Sequence, residues 1–544
     1  MAAKRKNVAR DACLCGGAAA KLGHHSMMRV CLIAIFAAAT WLRFRMPLLP
    51  LGTPDTWGYL FPALSGLAGE GMYETNARGI AYPLFLRIVL GAAGNFPAVV
   101  LVQHLLGLLS GVLWWIAWNL WVEWLPERMK IPARWGGMAG LALYLCNAGT
   151  IFYESTLRPE GIFPFFALSG IAATWMFVRA RWANPSPVAA LWGMLSVLFP
   201  LICLSLKPGW GLAALVPIII VCASLIGKFP LLWRSATAIL CALAVAFWIF
   251  VVPSAAQWKP DDRSRLFLPE TLFVQHAPAI AGAMADRDAR GELKDDEKKF
   301  LSKLQQRLEE SRTTRLEGFR SLGHNPDYLL YDSDTLFDLP GGNEPATRYS
   351  FLWNSYAEAW KKHPGEMCKK IAFQFIRSFG MAQKSLYAPE TNWQNPLQKS
   401  IEVLQLNKPA APAPALRLGY EPLIVATREQ LSTAPKKLRM GPPFMSPIAR
   451  IAGSLLVAGC MVLWPLFFVR AVLRPSSATT GAIIAFGIFW SLSFGSSLTI
   501  AAVSSFDITR YAVLQSFLHA FLIGGALLTI FEGVRGFLSA RRSP

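Results

Sequence analysis

The chain has 544 residues, of which 54% are hydrophobic and only 16% charged, with a mean hydropathy of +0.37. A soluble domain has about a quarter of its residues charged, so this composition excludes an ordinary soluble globular protein and belongs to a multi-spanning membrane protein. The net charge is +20, but the basic residues cluster at the ends of apolar runs, which indicates orientation and anionic lipid rather than nucleic acid.

Residues 1–28 form a basic tail, with Lys4, Arg5, Lys6, Arg10 and Lys21 against one acid, Asp11. The apolar run that follows, "VCLIAIFAAATWLRF", reads as a retained first span rather than a signal peptide, because no small-x-small cleavage pattern precedes a mature domain. About 20 apolar residues cross a bilayer, and ten stretches qualify as spans: near 29–47, 97–122, 135–152, 161–179, 188–206, 209–227, 232–253, 447–470, 480–502 and 511–531. Alternate short connections carry Arg128, Lys130 and Arg134, then Arg179 and Arg181, then Lys228 and Arg234, then Arg470 and Arg474. Together with the basic tails 1–28 and 532–544 they fall on one face, which the positive-inside rule makes cytoplasmic.

The expected fold class is thus mainly α, a polytopic helical bundle of about ten spans. It divides into a membrane domain 29–253 with a first outer loop 48–96, an outer segment 254–446, and the C-terminal spans 447–531. In the first loop, "TWGYLFPALSGLAGEG" and "IAYPLFLRIVLGAAG" are each too short to span and read as paired interfacial helices. The segment 254–446 is too long for an ordinary connection and reads as a mixed extracytoplasmic unit with a Pro-rich linker, "NKPAAPAPAL". Within it, "HPGEMCKKIAFQFIRSFG", 363–380, suits an amphipathic helix in the membrane interface. Of nine Cys, only Cys368 falls in this outer segment, so no disulfide framework is expected there. Cys13 and Cys15 have no partners at metal-site spacing and read as incidental.

The span count brings several polar groups to one membrane face. They are Asp55, Tyr59, Glu70, Glu74 and Arg78 in the first loop; Glu154, Arg158 and Glu160 in "YESTLRPEG"; Lys207 in "LKPGW"; and Asp507 and Arg510 before the last span. A carboxylate can take a proton from an attacking hydroxyl, and cations can neutralise a departing phosphate. Ordinary structural readings stand beside this one. Asp55 in "TPDT" and Glu160 could cap helices, Asp507 and Arg510 could pair at i, i+3, Lys207 could snorkel, and His104 could be a packed helix residue.

The segments "PDTWGYL", "RGIAYPLFLRIV", "YESTLRPEGIFPFFALSG", "LSLKPGW", and the late pair "HPGEMCKKIAFQFIRSF" and "DITRYAVLQSFLHAFLI" resemble, in this order, the C-type superfamily of integral-membrane glycosyltransferases. The likeness is to the protein mannosyltransferase, aminoarabinose transferase and lipopolysaccharide-core sugar transferase type, and it covers most of the membrane part but little of 254–360. It implies transfer of a sugar from a polyprenyl-phosphate donor to a lipid, glycan or protein acceptor on the periplasmic side of a bacterial inner membrane. By the same likeness Asp55 matches the first-loop general base, and Glu160 or Glu154 the second acidic position. Arg78, Arg158, Lys207, Arg510 and Tyr59 match the substrate-binding positions. No cofactor is implied with certainty. Asp55 is followed by Thr56 and Trp57 rather than by a second acid, so a divalent cation is left open. Two alternatives stand beside this reading: a lipid-linked saccharide transporter, for which the chain lacks a visible repeat, and a polysaccharide ligase or polymerase working through the long outer segment.

Overall fold

A computed structural model describes residues 26–540 apart from 46, 184–185, 227–229, 262, 315–318, 333, 337–338, 343, 381–389, 393, 409–411, 434–436, 440–446, 474–479 and 507–508. Most of the basic tail, Cys13, Cys15 and Asp507 lie outside the described residues.

Among the described residues, eight helices are long and apolar enough to cross a membrane, judged by length and composition. They are α1 (Ser26–Phe44), α4 (Pro97–Val122), Phe163–Arg181, Pro187–Leu206, Pro208–Ile226, Leu231–Ala256, Ile451–Leu473 and Thr480–Val503. The two remaining expected spans take another form. The stretch 135–152 is divided between α5 (Glu127–Leu145) and α6 (Ala148–Glu154), because Asn147 ends one helix and caps the next with its side chain on Thr150 N. The stretch 511–531 is divided at Gln515 into Thr509–Leu514 and Ser516–Ala540, the latter apolar as far as Phe531. Neither needs a strongly apolar surface, since both pack inside the bundle. Trp118 Nε1 donates to Ala133 O at 2.9 Å and Trp114 Nε1 to Phe517 O at 3.0 Å. Stacked rings of Trp114, Phe521 and Phe489 fill the centre, with centroids 4.4 and 4.0 Å apart.

In the first loop, α2 (Trp57–Ala68) and α3 (Ala81–Ala93) are the two short helices anticipated, each closed by a glycine in the left-handed region, Gly69 at φ 84° and Gly94 at φ 68°. The segment 254–446 is helical rather than mixed; its strands among the described residues are two three-residue pieces, Glu390–Asn392 and Lys437–Arg439. Its apolar residues also split between two cores. Phe273, Phe300, Leu301, Leu304 and Leu352 build a separate cluster, whereas Leu397, Leu404 and Tyr420 join the main core beside Leu51 and Phe96. The amphipathic tract is the helix Pro364–Gly380. Its Lys370 Nζ donates to the carbonyls of Ala501, Ala502 and Ser504 at 2.7–3.2 Å, closing the end of Thr480–Val503. Gln374 Oε1 accepts from Phe506 N at 2.8 Å. These bonds tether the segment that leads to Arg510.

Candidate active site

Four stretches far apart in sequence converge on Asp55. The first is its own loop. Leu51 N donates to Ser155 O at 2.8 Å and Leu157 N to Leu51 O at 3.0 Å, a short parallel bridge that sets residues 51–56 beside 155–160. Helix α2 then starts with Thr56 at its N-cap position. Asp55 is therefore not the cap, and its carboxylate is committed to guanidinium groups instead.

Arg78 Nη2 donates to Asp55 Oδ1 at 2.7 Å, and Arg510 Nη1 donates to Oδ2 at 2.8 Å. Arg158 Nη2 also donates to Oδ2. Glu160, two residues beyond Arg158, lies 2.7 Å from Lys207 Nζ and 3.6 Å from Arg158 Nε. Four cations thus surround two carboxylates, and the site carries a positive surplus. Burial pushes both carboxyl pKa values up, but the cations outweigh it. Arg158, Arg78, Arg510 and Lys207 hold Asp55 well below the usual carboxylate range, and Lys207, Arg158 and Arg510 hold Glu160 at about 2. Burial lowers the pKa of Lys207, with Glu160 opposing it.

Each cation is placed by a local device. Arg78 follows a turn in which Glu74, Asn76 and Ala77 have φ of 53°, 43° and 63°, a region that non-glycine residues enter at a cost. Asp261 Oδ1 holds that turn, accepting from Thr75 Oγ1 at 3.2 Å and Ala77 N at 3.4 Å. The Arg78 guanidinium then lies between the Tyr59 ring at 5.4 Å and the Phe267 ring at 5.9 Å. Tyr59 itself is buried, so it supports Arg78 from below. Lys207 sits in extended backbone where the chain breaks between Pro187–Leu206 and the next helix.

Gly79 makes the approach of these two stretches feasible: a Cβ there would lie 2.0 Å from Ser205 O. Gly79→Ala must push the Arg78 turn off the helix end that carries Lys207. The expected cost is about 1–3 kcal/mol, read as a lower unfolding midpoint in detergent. A midpoint equal to wild type would show that the contact can relax.

Glu154 does not join this cluster. Its carboxylate takes a bidentate pair from Arg43 Nε and Nη2 at 2.8 and 2.7 Å and lies 2.9 Å from His104 Nδ1. Arg43 and Glu154 are 0% and 1% exposed. The last turn of α6 faces α1 and α4, and Gly107 leaves the room, since a Cβ there would fall 2.1 Å from Glu154 Oε1. Glu70 is also elsewhere, accepting from Tyr73 OH at the surface.

Sequence reasoning missed Arg43, Gln103, Asp261, Phe267, Asp327 and Tyr331. Arg43 had a signal, being a charge inside an otherwise apolar span. Gln103 Nε2 donates to the carbonyls of Glu154 and Thr156 at 2.7 and 3.0 Å, holding the turn that bears Arg158. Asp327 and Tyr331 come from the outer segment. Asp327 is within electrostatic reach of Arg510 and Asp55, and Tyr331 of Arg78. No sequence pattern linked these residues to Asp55. Among the described residues no group of three or more His, Cys, Asp or Glu gathers as a metal site.

No family model matches the chain, and neither does any curated protein. Among solved structures, the chain is similar to the oligosaccharyltransferase of Archaeoglobus fulgidus in the apo form, with 13% identity over 95% of this chain and 52% of that one and a TM-score of 0.35. It therefore spans about half the length of that protein. It is also similar to ArnT from Cupriavidus metallidurans in the apo state, with 13% identity, 89% and 78% of the two chains and a TM-score of 0.28. For the same ArnT bound to undecaprenyl phosphate the values are 12%, 87% and 77%, and 0.31. Likenesses of this size decide nothing about this chain's activity.

Proposed function

We propose that this protein is a membrane glycosyltransferase that moves one sugar from a polyprenyl-phosphate donor to an acceptor hydroxyl at the periplasmic face of a bacterial inner membrane. One observation carries the reading. Among the described residues, Arg78, Arg158 and Arg510 each keep a buried Nε–H with no hydrogen-bond partner, around a carboxylate they already share. Buried donors without acceptors are costly, and a phosphate supplies acceptors in the planar geometry that guanidinium prefers.

In this reading the donor phosphate enters between the arginines and draws part of their charge away from Asp55. The carboxylate then becomes the stronger base that the step requires. The acceptor oxygen forms a bond to the anomeric carbon as the bond from that carbon to the phosphate oxygen breaks. The electron pair leaves with the lipid phosphate, stabilised by Arg158, Arg510 and Lys207, and the hydroxyl proton passes to Asp55. A single displacement inverts the anomeric centre. In this reading Asp327 and Tyr331, within electrostatic reach of Arg510 and Arg78, contact the acceptor. An apolar groove of about 460 Å³ along Leu67, Leu84, Ile88, Phe247 and Val251, beside the first-loop helices, suits the polyprenyl chain.

The test is turnover by purified protein in liposomes supplied with labelled polyprenyl-phosphate sugars and cell-envelope extract. Transfer of label to a new product supports the reading; labelled donor that crosses the bilayer unchanged favours transport instead. The pH dependence adds a second check. A carboxylate with a lowered folded pKa contributes its ion-pair stability above its unfolded value, 3.8 for Asp55 and 4.5 for Glu160, and loses it as pH falls through the folded value. Both groups are therefore ionised above about pH 4. The kcat/KM for donor, which reports the groups of the free protein, is expected to show no acid limb between about pH 5 and pH 8. A limb centred near pH 6 would assign the proton to another group.

A further inference from the structure

A second apolar groove lies at the other end of the bundle from the carboxylate–cation cluster, and the glycosyltransferase reading leaves it unused. Its volume is about 500 Å³, and Leu455, Gly459, Leu463, Trp464 and Phe486 line it. Trp121, also in its wall, is 17 residues beyond His104 on α4, which is about 26 Å along the helix axis. The groove opens on the hydrocarbon side, because Leu455, Val462, Leu463 and Leu466 of the helix Pro447–Leu473 are exposed. Gly459 keeps it open: a Cβ built there meets nothing within 4 Å.

Arg128 is the charged residue in its lining. The neighbouring cations are engaged, Lys130 with Glu127 and Arg179 with Glu123. Among the described residues, Arg128 has neither an ion pair nor a side-chain hydrogen bond, although it stands at the rim of an apolar slot. An acyl chain fits the slot, and a phosphate fits the guanidinium. Basic pockets between membrane helices at the basic face recognise anionic lipid head groups in this way.

We propose that this groove is a binding site for one anionic phospholipid, with an acyl chain along Gly459 and its phosphate on Arg128. The proposal is independent of what the Asp55 site does. An uncharged lipid would fill the slot equally well but gain nothing from Arg128, so headgroup charge is the discriminating property.

The experiment uses the full chain in nanodiscs of dioleoylphosphatidylcholine, with dioleoylphosphatidylglycerol added in steps. Native mass spectrometry reads the retained lipid, and peptide mass spectrometry reads alkylation of Cys460, which also lines the groove. Retention of one phosphatidylglycerol per chain is expected, with slower alkylation of Cys460. Arg128→Ala should lower retention at least about fivefold. Gly459→Phe should do the same by filling the slot, and its Cβ has room, with nothing within 4 Å. Equal retention of the two lipids, or retention unchanged in both variants, would overturn the proposal. Displacement of phosphatidylglycerol by an equimolar amount of undecaprenyl phosphate would overturn it as well, by assigning the groove to a polyprenyl lipid.

Discussion

Asp55→Asn is expected to lower sugar transfer by about 10²–10⁴-fold, the range that a positioned general base supplies. The variant keeps the shape of the side chain, but its single carbonyl oxygen can accept either from Arg78 or from Arg158 and Arg510, and its NH2 faces the guanidinium on the other side. It removes the negative charge that Arg78, Arg158 and Arg510 now share. The site then becomes one unit more positive, so the donor phosphate should bind at least as tightly as in wild type. The expected signature is a split, with collapsed turnover and an unchanged or lower apparent donor Kd. Turnover and binding would be measured in the same liposomes, alongside an unfolding midpoint. Turnover close to wild type in folded Asp55→Asn would remove Asp55 from proton transfer and leave Glu160 as the carboxylate to test. Loss of donor binding together with turnover would instead make Asp55 a brace for the arginines.

The second large effect is on stability. Glu154→Gln leaves the fully buried Arg43 without its anion, and breaking one side of a buried pair costs about 3–5 kcal/mol. Arg43 also donates to Leu145 O and Ala39 O, so its side chain cannot swing out to water without losing those bonds. The cost would be read from detergent-denaturation midpoints. The double variant Arg43→Met with Glu154→Leu removes both charges and should recover most of the loss, as apolar replacements of buried pairs often do. A single Glu154→Gln variant as stable as wild type but unable to turn over would return Glu154 to the chemistry. The contrast with Asp55 is physical. Asp55 is 22% exposed and faces cations that retain unused donors, whereas Glu154 has every oxygen engaged inside the bundle.

The helical membrane architecture was legible in the sequence because it depends on local composition. Long apolar runs, Gly-ended short helices and basic connections each report their own segment, and no partner is needed to read them. The prominence of Asp55 was legible for the same reason: an ionisable residue just beyond a span is conspicuous wherever it later packs. Tertiary structure decided the rest. Glu154 and Glu160 sit in one short turn and look equivalent as letters. The last turn of α6 sends Glu154 towards Arg43 and His104, while the following bend aims Glu160 at Lys207. The stretches 135–152 and 511–531 look like spans but contain breaks at Asn147 and Gln515, which interior packing tolerates. The outer segment divides between two cores because the Tyr420 ring meets Trp57 and Phe96, contacts hundreds of residues apart, and Leu404 joins the same core. Asp261 reaches the turn before Arg78, at Ala77 N, and Phe267 reaches the Arg78 guanidinium, both from far along the chain. Local composition says which residues are charged or apolar and which segments are helical. Which charges meet depends on helix rotation and on glycine-sized gaps such as those at Gly79 and Gly107, and those exist only once the helices pack together.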